Sequence, residues 1–294
     1  MNFRRVLDRL ACPECHGPLR VEGPPPALRC CACGAPYRVE EEIPILLAGA
    51  SGPPVPADQA EAGGRRVLPT RLAHRLRAWL NESPGRDRHQ AARLTAFVSA
   101  AGDGDLVMDL GSGSRRLGNQ VLAVDIGRFP HVDLVADGHR LPFRDGVAGR
   151  IVCTGVLEHV QVPERVVGEI VRVLRPGGRI YAAVPFLQGF HPGSGTDADF
   201  QRRTHLGLMR LMTPLAIVEW GIAGGPSAAL AWVLREYLAL PFAWSRSLYK
   251  VVYLAAGPLT SWLRWLDVLL DRFPQASRIA CGFYVIAEKT DRLE

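Results

Sequence analysis

Lysine is nearly absent from the chain, and no hydrophobic run marks a membrane-spanning or exported protein. Lys250 and Lys289 are the only lysines, so the formal net charge of +6 comes from arginine. In the aromatic-rich C-terminal part, the uncharged run 251–263 is shorter than the about 20 apolar residues of a transmembrane helix. Met1–Leu10 already carries four charged residues and does not resemble a signal peptide. We therefore expect a cytoplasmic protein whose cysteines are metal ligands or free thiols rather than disulfides.

Five of the seven cysteines lie in one short stretch near the N-terminus. The stretch CPECHGPLRVEGPPPALRCCACG, residues 12–34, holds two Cys-x2-Cys pairs that are fourteen residues apart. Such pairs turn four thiolates towards one tetrahedral Zn²⁺, and a segment rich in glycine and proline depends on that metal to fold. The predicted ligands are Cys12, Cys15, Cys30 and Cys33. The spacing favours Cys30 over Cys31, and we place His16 outside the ligand shell of a structural site.

The cysteine-rich segment belongs to the first of three predicted parts of the chain. The stretches LACPECHGPL and LRCCACGAPYRVEEEIPILL, within Leu10–Leu47, resemble the zinc ribbon of the small activator subunit of tRNA and protein methyltransferases. We predict a zinc ribbon over residues 1–48, a Pro/Gly-rich linker over 49–66 and a larger domain over 67–294.

Beyond the linker, short apolar segments alternate with helical patterns. The predicted helices are 70–80, 86–101 and 163–174. The predicted strands are 106–110, 121–125, 132–135, 149–153 and 179–184, then a sixth at 215–220 and an antiparallel seventh at 281–289. This alternation predicts an α/β fold with a doubly wound, mostly parallel seven-stranded sheet, whose ligands bind at the carboxyl ends of the strands.

The connection between the first two of these strands, LVMDLGSGSRRLGNQVLAVDI, is unusually short. Fifteen residues separate Asp109 from Asp125, which leaves space for at most a turn or two of helix. A dinucleotide needs a helix N-terminus for its pyrophosphate, whereas S-adenosylmethionine carries no phosphate. Its site needs bare backbone, which Gly111 and Gly113 supply, and a carboxylate for the ribose hydroxyls, which Asp125 supplies. The connection therefore favours S-adenosylmethionine over a dinucleotide.

Five motifs in order extend this pattern. LVMDLGSGS, LAVDI, LVADGHRLPFRDG, RIVCTGVLEHV and EIVRVLRPGGRIYAAVPF resemble the motifs of class I S-adenosylmethionine-dependent methyltransferases of the type 11 kind. The resemblance implies a cofactor site made by Asp109, Gly111, Ser112, Gly113, Asp125, Ile126, Asp137, Gly138, Leu141, Thr154 and Gly155. Within it, Asp109 and Thr154–Gly155 would lie on the methionine side, and Asp137–Gly138 at the adenine beside an apolar wall of Ile126 and Leu141. The stretch GSGSRRLG departs from the family, which has a third glycine and a full helix there.

The side chains after the fourth and fifth strands are candidates for proton transfer and substrate recognition. The candidate bases are His159, in the LEHV motif, and His191, Asp199 and His205, in PFLQGFHPGSGTDADFQRRTHLGLMRLM. Arg202 and Arg203 can meet an anionic substrate. Two alternatives stay open: His159 as a structural contact opening a helix, and a solvated loop that leads into a helix capped by Thr204.

The resemblance implies transfer of a methyl group from S-adenosylmethionine to a small-molecule or carrier- or lipid-linked biosynthetic intermediate. The ribbon and a sequence pI of about 9.1 also suit methylation of tRNA or rRNA. Against RNA, the sequence has no interleaved basic and aromatic surface of the kind that single-stranded RNA binding uses. A third possibility is a degenerate, non-catalytic domain whose ribbon docks partner proteins.

Four tryptophans and three tyrosines occupy the segment between the last two predicted strands, which we interpret as a helical insertion over residues 228–276. In LTSWLRWLDVLLDRF, helical spacing puts Arg264, Asp267 and Asp271 on one face, and Trp262, Leu266, Leu269 and Phe273 on another. Such a pattern suits peripheral membrane contact through 228–273. A cap packed on the catalytic domain or a dimer interface fits the same pattern.

Overall fold

The computed structural model describes residues 3–49, 88–191 and 198–290. The predicted helix 70–80 and most of the predicted linker, 50–66, lie outside these residues. The strands are β1 Leu19–Glu22, β2 Ala27–Cys30, β3 Pro36–Glu40, β4 Ile43–Leu46, β5 Leu106–Leu110, β6 Val121–Asp125, β7 Leu134–Ala136, β8 Ala148–Thr154, β9 Leu174–Pro185, β10 Ala216–Gly224 and β11 Gly282–Glu288. The α-helices are α1 Arg88–Ser99, α2 Pro163–Val173, α3 His205–Leu211, α4 Pro226–Ala239, α5 Arg246–Ser261 and α6 Asp267–Leu270, with 3₁₀ segments at Phe3–Arg9, Leu240–Phe242, Trp262–Leu266 and Pro274–Ile279.

The strands form one sheet in the order β1-β2-β3-β4-β7-β6-β5-β8-β9-β11-β10. Strands β7, β6, β5, β8 and β9 run parallel, and β11 is antiparallel to both β9 and β10. The prediction of a doubly wound, mostly parallel α/β sheet is therefore confirmed. The sheet continues beyond the seven predicted strands, because the four short N-terminal strands extend it past β7.

The N-terminal segment is hydrogen-bonded into the main sheet. Strand β4 pairs in parallel with β7, with Leu46 opposite Ala136. The amide of Ala11 donates to the carbonyl of Pro142 at 2.9 Å, next to a β-bridge between Leu10 and Phe143. Leu10 and Phe143 are both fully buried. The N-terminal segment, predicted to be a zinc ribbon, therefore supports β7 and the loop after it, which carries the predicted adenine-side residues.

Burial explains why the central elements form where they do. Every residue of β5 and β6 is buried, as expected for parallel strands that are covered on both faces. Helix α2 begins with Pro163 in its first turn, where a missing N–H costs nothing, and buries Val166, Ile170 and Val173. The sequence prediction ended this helix at residue 174, and the chain in fact enters β9 at Leu174.

A helical insertion separates β10 from β11, as predicted. It consists of α4, α5, α6 and the 3₁₀ segments around them. Asp267 accepts hydrogen bonds from the amides of Ser227 at 2.7 Å and Ala228 at 3.0 Å, so it joins the end of the insertion to the first turn of α4. None of the helices in the described residues has the length and apolar character needed to cross a bilayer.

Candidate active site

The loop between β5 and β6 contains no helix, which lies within the predicted limit of at most a turn or two. Gly111 has φ +73°, and a Cβ there would lie 2.1 Å from Cγ2 of Val156. Gly113 has φ +53°, and a Cβ there would meet nothing within 4 Å. The first glycine is thus required by close packing of the protein itself, whereas the second leaves an open, bare stretch of backbone.

The carboxylate of Asp125 is oriented by backbone amides at the end of β6. Oδ2 accepts from the amide of Gly113 and Oδ1 from the amide of Gly127, both at 2.8 Å. Asp125 is buried, and this burial raises the pKa of its carboxyl above the ordinary value. The two amides fix the rotamer and leave further lone pairs for hydroxyl donors, as a ribose-binding carboxylate requires.

Asp109 at the end of β5 is held by a side chain from the glycine loop. Arg115 donates from Nη2 to Oδ1 of Asp109 at 2.7 Å, and from Nη1 to Oγ1 of Thr154 at 2.9 Å. Asp109 is 1% exposed, and burial raises its pKa against the lowering effect of Arg115. The guanidinium therefore joins the ends of β5 and β8 at the place predicted for the methionine amino group. Sequence analysis gave Arg115 no role in this site.

The residues predicted to contact the adenine are only partly exposed. Asp137 accepts from the amide of His139 at 2.9 Å, and its carboxylate also contacts the His139 ring at 2.8 Å. Ile126 is 40% exposed and can supply an apolar contact. Leu141 was predicted as the other part of that wall, but its side chain is fully buried in the core and presents no surface there.

The remaining predicted cofactor residues follow β5 and β8. Ser112 is buried, and its Oγ has no hydrogen-bond partner in the described residues. Gly155 is exposed with φ +71°, directly after Thr154. Gly138 follows Asp137 in the loop that the ribbon supports, next to Val166 of α2.

A cluster of one carboxyl group and two imidazoles lies after β8 and β9. Glu158, His159 and His191 bring their candidate ligand atoms within 4.8 Å of one another. The His159 Nδ1 lies 2.8 Å from the carbonyl of Ala198, which can only accept, so Nδ1 carries the hydrogen and Nε2 keeps its lone pair. That Nε2 is 3.8 Å from Oε1 of Glu158. Two of the four predicted bases, His159 and His191, are thus brought together by the fold.

Glu158 was not predicted as a site residue, although the LEH motif contains it. It is 3% exposed, and its Oε2 has no hydrogen-bond partner in the described part of the chain. Burial raises the pKa of this carboxyl to about 7. His159 lies in a turn ahead of α2 rather than at the start of a helix, and burial lowers the pKa of its ring. Burial therefore favours the uncharged form of both groups, a protonated Glu158 carboxyl beside a neutral His159 ring.

Arg202 and Asp199 clamp the loop that carries His191. Both Asp199 oxygens accept from the Arg202 guanidinium, and Asp199 Oδ2 also accepts from the amide of His191 at 2.8 Å. Burial acts to raise the pKa of Asp199, but the Arg202 and His191 contacts lower it to about 2. Asp199 is thus a positioning carboxylate, a poor candidate for a base. Arg202 also donates to the Gly189 carbonyl, so its donors serve the protein rather than an anionic substrate.

The other two predicted residues of this loop lie elsewhere. His205, at the start of α3, stacks on Trp220 with ring centroids 4.6 Å apart and does not belong to the Glu158–His191 cluster. Arg203 contacts Glu164 at 3.3 Å. Thr204 caps α3 by accepting from the amide of Gly207 at 3.1 Å, as predicted.

The four predicted zinc ligands form a second site at the N-terminus. Their sulfur atoms are all within 4.8 Å of one another, with Cys12 to Cys33 at 3.7 Å and Cys15 to Cys30 at 3.5 Å. Sulfurs bound to zinc at about 2.3 Å in a tetrahedron lie about 3.8 Å apart, so the spacing fits. Tyr37 places its hydroxyl 2.9 Å from the Cys12 sulfur. Cys31 is exposed and outside the cluster, as the spacing predicted.

Comparison with known families identifies the central segment. Residues 101–182 match the family model described as a methyltransferase domain. With the strand order found here, the fold is that of a class I methyltransferase. The matched segment contains all the predicted cofactor residues together with Glu158 and His159. No curated protein matches the chain.

Several solved structures resemble this methyltransferase fold at low sequence identity. One is from the complex of the Haloferax volcanii Trm112 methyltransferase activator with a methyltransferase (19% identity, 75% of this chain and 97% of that chain, TM-score 0.45). Another is the geranyl diphosphate C-methyltransferase of Streptomyces coelicolor A3(2) (15% identity, 81% of this chain and 88% of that chain, TM-score 0.44). A third is the 1,6-didemethyltoxoflavin-N1-methyltransferase of Burkholderia thailandensis (17% identity, 78% of this chain and 93% of that chain, TM-score 0.42).

Proposed function

We propose that the chain transfers a methyl group from S-adenosylmethionine to a small-molecule or carrier- or lipid-linked intermediate. The observation that carries the proposal is the position of the Glu158–His159–His191 cluster. It follows the carboxyl ends of β8 and β9, at the same edge of the sheet where Asp109 and Asp125 end β5 and β6. This shared edge supports the proposal, because ligands of parallel α/β sheets bind at the carboxyl ends of the strands.

The residues present fit S-adenosylmethionine. Gly113 offers bare backbone, Asp125 offers an oriented carboxylate for the ribose hydroxyls, and Ile126 offers an apolar surface for the adenine. The Arg115 side chain is 31% exposed, so it can turn away from Asp109 when a cationic amino group arrives. In that position Arg115 would pair with the methionine carboxylate, a role that helix N-termini often fill for anions.

The bound sulfonium would supply the methyl group, and the protein would hold the acceptor in line with it. His159 has the tautomer needed to take a proton at Nε2, because Nδ1 donates to the Ala198 carbonyl. Glu158, with its pKa raised to about 7, can take that proton onward within the cluster. His191, fixed by Asp199 and Arg202, would orient the acceptor at the other side.

The competing function is a scaffold without methyl transfer, and one observation favours it. Arg115 already neutralises Asp109, so the domain is electrostatically satisfied without a ligand. Isothermal titration of the zinc-loaded chain with S-adenosylhomocysteine separates the two. Heat of binding with a one-to-one end point supports the enzyme, and loss of that heat in Asp125→Ala locates the site. An absence of heat in a folded protein would favour the scaffold.

A further inference from the structure

Many large apolar side chains are exposed along the helical insertion. Large apolar side chains recur there at intervals of three or four residues, so they share one side of the helices. We call this surface the apolar face. It comprises Leu230, Val233 and Tyr237 of α4, and Val251, Leu259, Trp262, Leu266, Leu269 and Phe273 of the region from α5 onward, all 44% to 70% exposed.

The buried side of the same helices carries small side chains, mostly alanine, together with two charged groups, Arg235 and Asp267. Arg235 is 3% exposed and donates to Oγ1 of Thr260 at 2.7 Å and to the carbonyl of Gly257 at 3.0 Å, which ties α4 to α5. Asp267, also buried, caps the first turn of α4. The helices are therefore held together by hydrogen bonds on their inner side and expose leucine, valine and tryptophan outward.

In a helix that packs on a core in water, the large apolar side chains turn inward, whereas here they are exposed. An exposed surface with many large apolar side chains marks a site that meets another apolar phase. Within the 262–273 segment, Asp267 is buried and Trp262 is exposed, whereas α4 packs on the catalytic domain through Trp232 and His191.

The exposed charges beside the apolar face indicate which kind of partner it binds. Arg246, Lys250, Arg272 and Arg278 are exposed along the insertion. Of the acids, Asp267 is buried and the half-buried Glu236 accepts from the hydroxyl of Tyr249, whereas Asp271 is exposed. The exposed basic groups thus outnumber the exposed acid beside the apolar side chains, and apolar side chains with an excess of basic ones are the composition of helices that lie in an anionic bilayer surface.

We propose that the insertion docks on an anionic lipid bilayer, with the apolar face buried at the headgroup level and the basic side chains against the lipid phosphates. Docking does not depend on the proposed methyl transfer. Where both hold, the bilayer lies beside the acceptor side of the active site. Trp232 of α4 packs against His191, with ring centroids 5.6 Å apart, and the neighbouring Phe190 is 70% exposed. A membrane-resident amphipathic acceptor would then reach the cluster without leaving the lipid surface.

Vesicle sedimentation tests the proposal with the full-length, zinc-loaded chain. We expect the protein to sediment with vesicles of phosphatidylcholine and phosphatidylglycerol, and much less with pure phosphatidylcholine, with binding reduced by salt. Val251→Gln combined with Leu259→Gln should reduce the bound fraction at least fivefold. The matched control is Val21→Gln, which changes an exposed valine of β1 in the ribbon and should bind as the wild type does.

A second pair of variants tests the basic groups. Arg246→Gln with Lys250→Gln should weaken binding to anionic vesicles, whereas Arg38→Gln, at an exposed ribbon arginine, should not. Tryptophan emission should also shift to shorter wavelength on binding. Protein that stays in the supernatant with both vesicle types would overturn the proposal. So would a stable dimer in sedimentation velocity that becomes monomeric in the Val251/Leu259 variant, because the apolar face would then be an interface between copies. S-adenosylhomocysteine titration of the same variants reports separately on the proposed function.

Discussion

Arg115 and Asp109 form a two-point ion pair across the base of the candidate cofactor site, with Nη2 to Oδ1 at 2.7 Å and Nε to Oδ2 at 3.3 Å. Arg115 lies in the loop where a longer crossover would carry a helix. A helix N-terminus offers partial positive charge, and its loss leaves the end of β5 without a group that attracts an anion. The guanidinium restores that positive charge with a full side-chain charge.

Replacement of Arg115 by alanine should weaken S-adenosylhomocysteine binding by roughly tenfold to a hundredfold, because hydrogen bonds to charged groups contribute about 1.5–3 kcal/mol. Isothermal titration measures the change. Arg116→Ala is the matched control: the adjacent arginine pairs with Asp133 at 2.6 Å and should leave the affinity unchanged. Tighter binding by Arg115→Ala would mean that Arg115 blocks the site instead of serving it.

Zinc binding by the predicted N-terminal ribbon should stabilise the cofactor site as well as the ribbon itself. Cys12→Ser should release zinc and lower the thermal midpoint, and it should also weaken S-adenosylhomocysteine binding, since β4 pairs with β7 next to Asp137. Elemental analysis, thermal scanning and titration measure the three effects. Cys31→Ser should retain full zinc content and affinity because its sulfur is outside the cluster. Normal affinity in a zinc-free Cys12→Ser protein would separate the ribbon from the site.

The local sequence pattern was sufficient to predict the bounds of the central strands β5 and β6. The predicted bounds of β5 and β6 agree with the structure, because both are continuous apolar runs that end at an aspartate and a glycine turn. The start of β9 was missed by five residues. The stretch RPGG indicates a break, but the ladder with β8 already begins at Leu174, opposite Ala148. Strand pairing overrode the local turn signal there.

Long-range contacts account for what the sequence could not predict. Arg115 reaches Thr154 across 39 positions, and Glu158 owes its raised pKa to burial by residues from other elements. The helical spacing around Trp262 put Asp267 and Asp271 on one face, but in the structure Asp267 is buried and Asp271 is exposed. The contact of Asp267 with the first turn of α4, forty residues away, accounts for its burial and could not be read from local spacing.

The two glycines of the first loop should behave differently when each is replaced by alanine. Gly111→Ala forces a Cβ to 2.1 Å from Val156, so we expect a loss of several kcal/mol in unfolding free energy, about 3 by analogy with overpacked cores. Adding Val156→Ala to the Gly111→Ala variant should restore part of the lost unfolding free energy. Gly113→Ala meets no atom and should cost only about 1 kcal/mol for its positive φ, while reducing S-adenosylhomocysteine affinity. Urea unfolding and titration measure both; equal stability losses would contradict this division of roles.

Glu158 should make the protein less stable as the pH rises. Its pKa is raised from 4.5 to about 7 in the folded state, so between these values the folded protein holds a proton that the unfolded chain releases. Stability therefore falls across this window, by at most about 3 kcal/mol above pH 7. Glu158→Gln removes the penalty and should be more stable than the wild type at about pH 8 but not at about pH 5.

Urea unfolding of the variant and the wild type at both pH values measures their difference in unfolding free energy. The zinc thiolates bind and release protons equally in both proteins, so their contribution cancels in this difference. Glu164→Gln is the control, because Glu164 is 65% exposed on α2 and carries no burial penalty. The same Glu158 substitution should slow methyl transfer if the cluster accepts a proton. A variant that gains stability equally at both pH values would show that the Glu158 carboxyl titrates in the fold as it does in the unfolded chain, which would remove Glu158 from the proton path and leave His159 as the base.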